Sequence, residues 1–193
     1  MIQSFAEYKS FLKQDKLACG IKHNDISSKL ISIISPNPIW KFQKILRKLE
    51  FYTNCKNTGI NKIYCYYLRY RFKKTSIKLG FSIPINVFGP GLAIVHYGTI
   101  VINGATKIGS NCRIHACVNI GASGGEKEAP VLGDNIYIAP GAKIYGNISI
   151  ANNTAIGANA VVNKSFEKEN TMIAGVPAKV ISEIDIKKII KHI

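Results

Sequence analysis

Four histidines, His23, His96, His115 and His192, are the side chains of this 193-residue chain best suited to chemistry at neutral pH. Imidazole titrates near neutrality, so it can take a proton as a general base or, uncharged, ligate a metal. A catalytic zinc centre needs three converging imidazoles or their equivalents. Only His96 and His115 fall within the repetitive part of the sequence, so the third ligand is missing and no metal is expected. The five cysteines, Cys19, Cys55, Cys65, Cys112 and Cys117, are odd in number and lack CxxC or Cys/His metal spacing. They read as reduced, mostly buried small residues without a chemical role.

The element that must position His96 and His115 announces itself by a period of six. Ile102, Ile108, Ile114, Ile120, Leu132, Ile138, Ile144, Ile150, Ile156 and Val162 share one count of six, and Phe88 and Ile94 extend it backwards with two extra residues before Ile102. The count skips 126, inside the polar stretch Ser123 to Glu128, which therefore reads as a loop replacing one repeat. A strand alternates with period two and a helix repeats near 3.6, so neither accounts for this series. A three-sided coil does, each hexapeptide forming one flat face with its aliphatic residue pointing inward and successive coils stacking about 4.8 Å apart. Small residues stand two places before many of the aliphatics (Thr106, Cys112, Ala142, Thr154, Ala160), and Gly or Asn follows directly at 103, 109, 121, 133, 157 and 163, where tight corners are expected.

The first 80 residues have another texture. Apolar residues recur at helical spacing, as in Phe5, Tyr8, Phe11, Leu12 and again in Trp40, Ile45, Leu49, Tyr52, with Pro36 and Pro38 at a helix entry and Gly59 in a break from Lys56 to Asn61 before a further helix through Lys78. The expected organisation is an α-helical segment over 1–80, a mainly β, parallel β-helix over 81–166, and a loop with a short helix over 167–193. Residues 1–80 hold 16 Lys and Arg against 4 Asp and Glu, net +12, which leaves +3 for the remainder. That field suits an anionic membrane surface or an anionic glycan. Tyr64, Tyr66, Tyr67, Tyr70 and Phe72 interleave with Arg69, Arg71, Lys73 and Lys74, a pattern read as an amphipathic helix with basic rims rather than a nucleic-acid surface. The start of the chain has no apolar core of signal-peptide length and no run approaches a membrane span, so the expected location is cytoplasmic.

At Phe88-Gly-Pro-Gly-Leu-Ala-Ile-Val-His96-Tyr-Gly-Thr-Ile-Val-Ile102, Val118-Asn-Ile-Gly121, Ala139-Pro-Gly-Ala-Lys-Ile-Tyr-Gly146 and Ile173-Ala-Gly-Val-Pro-Ala-Lys179 the chain resembles the hexapeptide-repeat acyltransferases, and within them the serine acetyltransferase branch. The resemblance implies a left-handed β-helix, homotrimers or multiples of trimers with active sites between subunits, and acetyl-CoA as cosubstrate without a metal. It aligns His96 with the catalytic histidine, the base that takes the acceptor hydroxyl proton, and places His115 in the same cleft. Pro140 and Ala158 would border the pantetheine arm, Asn163, Lys164 and Lys179 the nucleotide end, and Gly121 would offer a backbone N–H to the oxyanion.

The match is incomplete where the acceptor is chosen. The acidic residues that accompany the family's histidine correspond to Phe81 and Val95, and its substrate-binding Arg-His pair to Glu128 and Ala129. A carboxylate substrate would meet Glu128 where it needs a cation. The expectation from these positions is a carbohydrate acceptor, in the manner of the polysaccharide-locus O-acetyltransferases. The alternatives are a serine O-acetyltransferase, which also suits the terminal Ile193 as a docking residue for a partner, and a non-catalytic β-helix interaction protein. A β-helical zinc carbonic anhydrase is disfavoured by the missing third histidine.

Overall fold

The computed structural model describes residues 1–21 and 37–193, so Pro36 and His23 lie outside the described residues. Three helices precede the β-structure: α1 (Phe5–Ala18), α2 (Pro38–Cys55) and α3 (Ile60–Leu79). Local chemistry sets their ends. Ser4 accepts from the Glu7 N–H at 3.1 Å, Asn37 accepts from Ile39 and Trp40 ahead of Pro38 as first helical residue, and Gly80 closes α3 in the left-handed conformation.

Twelve short parallel strands then wind around a three-sided prism. One face stacks β1 (Phe81–Ser82), β3 (Ile100–Ile102), β6 (Asn119–Gly121), β9 (Lys143–Tyr145) and β12 (Val161–Val162); a second stacks β4 (Lys107–Ile108), β7 (Val131–Leu132) and β10 (Ser149–Ile150). The third holds β2 (Ala93–Ile94), β5 (Arg113–Ile114), β8 (Tyr137–Ile138) and β11 (Ala155–Ile156). The period of six becomes the register: Ile94, Ile114, Ile138, Ile156 and Ile173 pair in one column, Ile108, Leu132 and Ile150 in another, and Ile102, Ile120, Ile144 and Val162 in the third. All are buried and fill one continuous core. The left-handed β-helix with a helical N-terminal segment is the expected fold class, and the stretch around Ser123 to Glu128 leaves the prism as a loop between β6 and β7.

The corners differ from the sequence reading. Asn111, Cys117, Asn135, Gly141, Asn153 and Asn159 have positive φ and stand three places after inward aliphatics of the second and third faces rather than one. Asparagine tolerates this conformation, and its amides ladder between coils, Asn111 to Asn135 at 2.9 Å and Asn135 to Asn153 at 2.8 Å. The glycine at 109 serves a different purpose: a Cβ there would meet the Gly133 carbonyl oxygen at 2.7 Å, so its absence lets the coils approach. Cys112 faces inward and is buried, whereas Cys117 is an exposed corner residue, contrary to its reading as a small repeat-position residue.

Two further corrections concern the ends. The loop expected over 167–193 is an antiparallel hairpin, β13 (Thr171–Gly175) and β14 (Ala178–Glu183), and the short helix expected after it is a single 3-10 turn, Ile186–Lys188. The hairpin continues the third face below β11, and Ile186 and Ile190 pack under Ala155. In the helices, Phe5 is exposed and Trp40 and Ile45 are only partly covered, while the buried faces include Asp15 of α1 and Gln43, Arg47 and Glu50 of α2.

Those buried polar residues close the open end of the prism. The first corner, residues 86–92, has no coil above it to pair with its backbone. Arg47 donates to the Phe88 and Gly89 carbonyls at 2.9 and 2.6 Å, Asp15 accepts from the Gly91 and Leu92 N–H groups at 2.9 Å, Glu50 accepts from Asn86 N–H at 2.8 Å, and Gln43 donates to the Leu92 carbonyl at 2.7 Å. Arg47 is held by Asp15 at 2.7 Å and Glu50 at 3.0 Å, all three fully or almost fully buried. Burial works against the guanidinium charge, but the two carboxylates outweigh it and raise its pKa. Phe42 of α2 completes the seal, 5.0 Å from Phe81 and 5.3 Å from Phe72. Arg47→Leu leaves both carboxylates buried without a cation and is expected to cost about 3–5 kcal/mol, read as a fall in the urea midpoint; a change within error would mean the cluster is dispensable.

Candidate active site

The column rule that stacks the isoleucines also stacks the residues after them. Ala116, Pro140 and Ala158 each stand two places beyond an isoleucine of the third face and line one vertical edge of the prism; His96, two beyond Ile94, leaves the same face one coil above, in the turn that holds the two extra residues, and Thr99 takes the rung over Ala116. Backbone bonds tie that edge together, from Gly141 N–H to the Ala116 carbonyl and from Asn159 N–H to the Pro140 carbonyl. His96, Pro140 and Ala158 are exposed at this end of the face, as is Tyr97, which is 69% exposed. Gly157 brings the hairpin close at the bottom of the edge, and Lys179 pairs with Ala174 there, so the lysine joins this group.

His115 lies one position before the edge, its ring centroid 6.0 Å from that of His96 and 5.3 Å from that of Tyr137, edge to face. Burial, then the charge of Arg113 and the proximity of His96, lower its pKa. The buried Nε2 of His115 has no hydrogen-bond partner among the described residues. His192 lies outside the repeats, as expected, yet the turn after β14 folds the chain end back along the third face, where burial and then Arg113 lower the His192 pKa too.

Gly121, Asn163 and Lys164 are elsewhere. Gly121 and Asn163 each follow an inward residue of the first face and share a column with Tyr145, at the far side of that face from His96. Asn163 and Lys164 are exposed. One chain therefore brings His96, His115, Pro140, Ala158 and Lys179 to one end of the third face and Gly121, Asn163 and Lys164 to another edge. Arg113 and Tyr137, which the fold brings beside His115, were missed from the sequence; the one signal for both was their place directly before an inward isoleucine, on the outward side of the strand.

Phe81 is buried against Phe42, and no acidic side chain hydrogen-bonds His96 among the described residues. Glu128 is exposed in the loop and Ala129 is buried. Burial pushes the Cys112 thiol up, which removes it as a nucleophile at neutral pH. Among the described residues no three His, Cys, Asp or Glu side chains cluster in a way that could hold a metal ion.

Because His115 and His192 have folded-state pKa values below the ordinary 6.5, the folded chain binds fewer protons than the unfolded one, and stability falls as pH drops below that value. The melting temperature is expected to fall between about pH 7 and about pH 5, and to fall less when both are replaced by glutamine; an equal fall in that variant would remove these two histidines as its source.

Comparison with known proteins fits this architecture. Residues 129–164 match the family model described as bacterial transferase hexapeptide (six repeats). A serine acetyltransferase of Staphylococcus aureus is 39% identical over 101 residues, 51% of this chain and 47% of the relative, and one of Staphylococcus xylosus is 40% identical over 97 residues, 49% and 44%. The chain thus spans about half the length of these relatives. Among solved structures, the serine O-acetyltransferase of Brucella melitensis superposes with a TM-score of 0.71 at 24% identity, covering 93% of this chain and 71% of that one. The serine acetyltransferase of Brucella abortus in complex with coenzyme A gives 0.68 at 24% identity, covering 94% and 70%. These relatives overturn the carbohydrate acceptor expected from Glu128 and Ala129: both positions lie in or beside a loop outside the repeats, and two side chains there weigh less than similarity along half the chain. Residues 129–164 thus match the bacterial transferase hexapeptide model, and about half of the chain is similar to serine acetyltransferases.

Proposed function

We propose that this chain is an acetyl-CoA-dependent O-acetyltransferase whose acceptor is L-serine, working in the cytoplasm as a homotrimer or a multiple of trimers. The observation that carries the reading is that His96, Pro140 and Ala158 stand exposed at the same end of the third face, with His115 beside His96, in a chain whose relatives are serine acetyltransferases. Residues 1–80 would serve as the helical lid of the prism, 81–166 as the catalytic prism and 167–193 as its lower cap.

In this mechanism His96 accepts the serine hydroxyl proton as the oxygen attacks the thioester carbonyl. The tetrahedral intermediate collapses by breaking the carbon–sulfur bond, and the imidazolium returns its proton to the departing thiolate. His115, with its lowered pKa, stays neutral beside His96 and so does not repel the imidazolium as it forms. Pro140 and Ala158 flank the pantetheine arm, and Lys179 takes the phosphates from below. Gly121, as oxyanion donor, with Asn163 and Lys164 would reach the same cleft from the other edge of a neighbouring copy; threefold packing of prisms sets unlike edges against each other. The coenzyme A complex of the Brucella abortus relative supports the donor.

A serine carboxylate needs a cation, and Glu128 does not supply it. Arg113 does: it stands on the outward side of the third face, close enough to His115 to depress its pKa, and forms no salt bridge among the described residues. Arg113→Gln is expected to raise the KM for serine about tenfold or more with little change for acetyl-CoA, since loss of a charge-assisted contact is worth roughly 1.5–3 kcal/mol. An unchanged KM would move the carboxylate elsewhere.

The deciding assay is thiol release from acetyl-CoA with L-serine, run beside a panel of sugars and nucleotide sugars. Release with serine is expected, and His96→Ala should lower it at least about a hundredfold while sparing coenzyme A binding. Release with sugars alone would overturn the acceptor, and near-normal turnover of His96→Ala would overturn the base.

A further inference from the structure

Helix α3 presents two faces, and only one of them is used by the fold. Cys65, Leu68, Ser76 and Leu79 are buried, with Phe72 partly covered beside them. At about 100° per residue the opposite side carries Ile63, Tyr66, Tyr67, Tyr70 and Ile77, exposed by 71, 60, 48, 62 and 71%. Two rows of bases border this stripe: Lys62, Arg69 and Lys73 on one flank, Arg71, Lys74 and Lys78 on the other. The helix contains no acidic residue. Lys41 of α2 joins Arg71, Lys74 and Lys78 around a cavity of about 410 Å³ that also touches Tyr70.

We propose that this face of α3 lies on an anionic phospholipid bilayer. Charge decides among the occupants. A second copy would set six cations against six on the same stripe, with no carboxylate on either helix to compensate. A nucleic acid would satisfy the bases and stack on the tyrosines, but it offers nothing to Ile63 and Ile77 at the centre of the stripe. A bilayer surface satisfies all three chemistries, with lipid phosphates on the flanking bases, tyrosines at headgroup depth and isoleucines at the acyl boundary. The cavity below Tyr70 is lined to take one such phosphate. Among the described residues no helix is long and apolar enough to cross a membrane, so the contact is peripheral.

The test is sedimentation of the full chain with vesicles, in which no acetyl donor takes part. Binding is expected to vesicles of equal parts phosphatidylglycerol and phosphatidylcholine, not to phosphatidylcholine alone, and to weaken as salt rises from about 0.1 M to about 1 M. The Arg69→Gln, Lys73→Gln, Lys74→Gln triple variant should bind roughly a hundredfold more weakly. Ile63→Ser with Ile77→Ser should weaken the part of binding that survives high salt. These positions are exposed, so melting temperatures should match the parent. Four results would overturn the proposal: no sedimentation with anionic vesicles, binding indifferent to the three bases, dissociation of an oligomer by the Ile63→Ser, Ile77→Ser variant in sedimentation velocity, or RNA binding that displaces the vesicles and ignores both isoleucines. Release of bound vesicles by millimolar inorganic phosphate at constant ionic strength would also overturn it, reducing the surface to a soluble-anion site.

Discussion

A stack of parallel coils has an unavoidable flaw at each end, because the terminal coil exposes backbone groups with no rung to pair with. Arg47 is this protein's answer at the upper end. Its guanidinium takes two carbonyls of the first corner, while Asp15 and Glu50, which neutralise it, take three of the N–H groups. The cluster thereby joins α1, α2 and the first coil through three buried charges. A buried ion pair alone is weak evidence for stability, since desolvation offsets attraction. Here the charges also satisfy backbone polarity that would otherwise stay unpaired, and that second duty gives them a structural purpose.

From that sealed end the prism runs as a ruler. Each coil repeats the same three faces, so a residue's place in the hexapeptide decides its height and its edge. Ala116, Pro140 and Ala158 are separated by up to 42 positions in the chain yet stand on one edge, because each follows an isoleucine of the same column by two, and His96 leaves the same face one coil above. Asparagine corners make this tolerable along the whole stack, through both the left-handed conformation and the side-chain ladder from Asn111 to Asn153. The surface of α3 is free to meet something else.

Much of this was legible in the residues. Ten aliphatics on one count of six admit few folds, and the skipped position near Ser123 to Glu128 could only be a loop. What the reading got wrong has identifiable causes. Helical spacing finds apolar faces, but α2 buries Gln43, Arg47 and Glu50, whose partners are backbone groups more than thirty residues away. The corner position was misplaced because the Gly and Asn after each aliphatic suggested a bend, whereas glycine at 109 is selected by the closeness of the next coil. The acceptor was inferred from Glu128 and Ala129 alone, and similarity over a longer stretch outweighed them.

Sequence by itself determined the prism and its rise per repeat, because those depend on a local period that no distant contact alters. Tertiary structure decided the rest. It chose which polar residues of α1 and α2 are buried, because only the open end of the first coil makes burying them favourable. It folded residues 171–183 into a hairpin and returned His192 to the face of Arg113 and Tyr137, because a chain end carries no period to announce where it lands. It also left the tyrosine and isoleucine stripe of α3 outward, since the inner side of that helix was already filled by Leu68, Phe72 and Leu79.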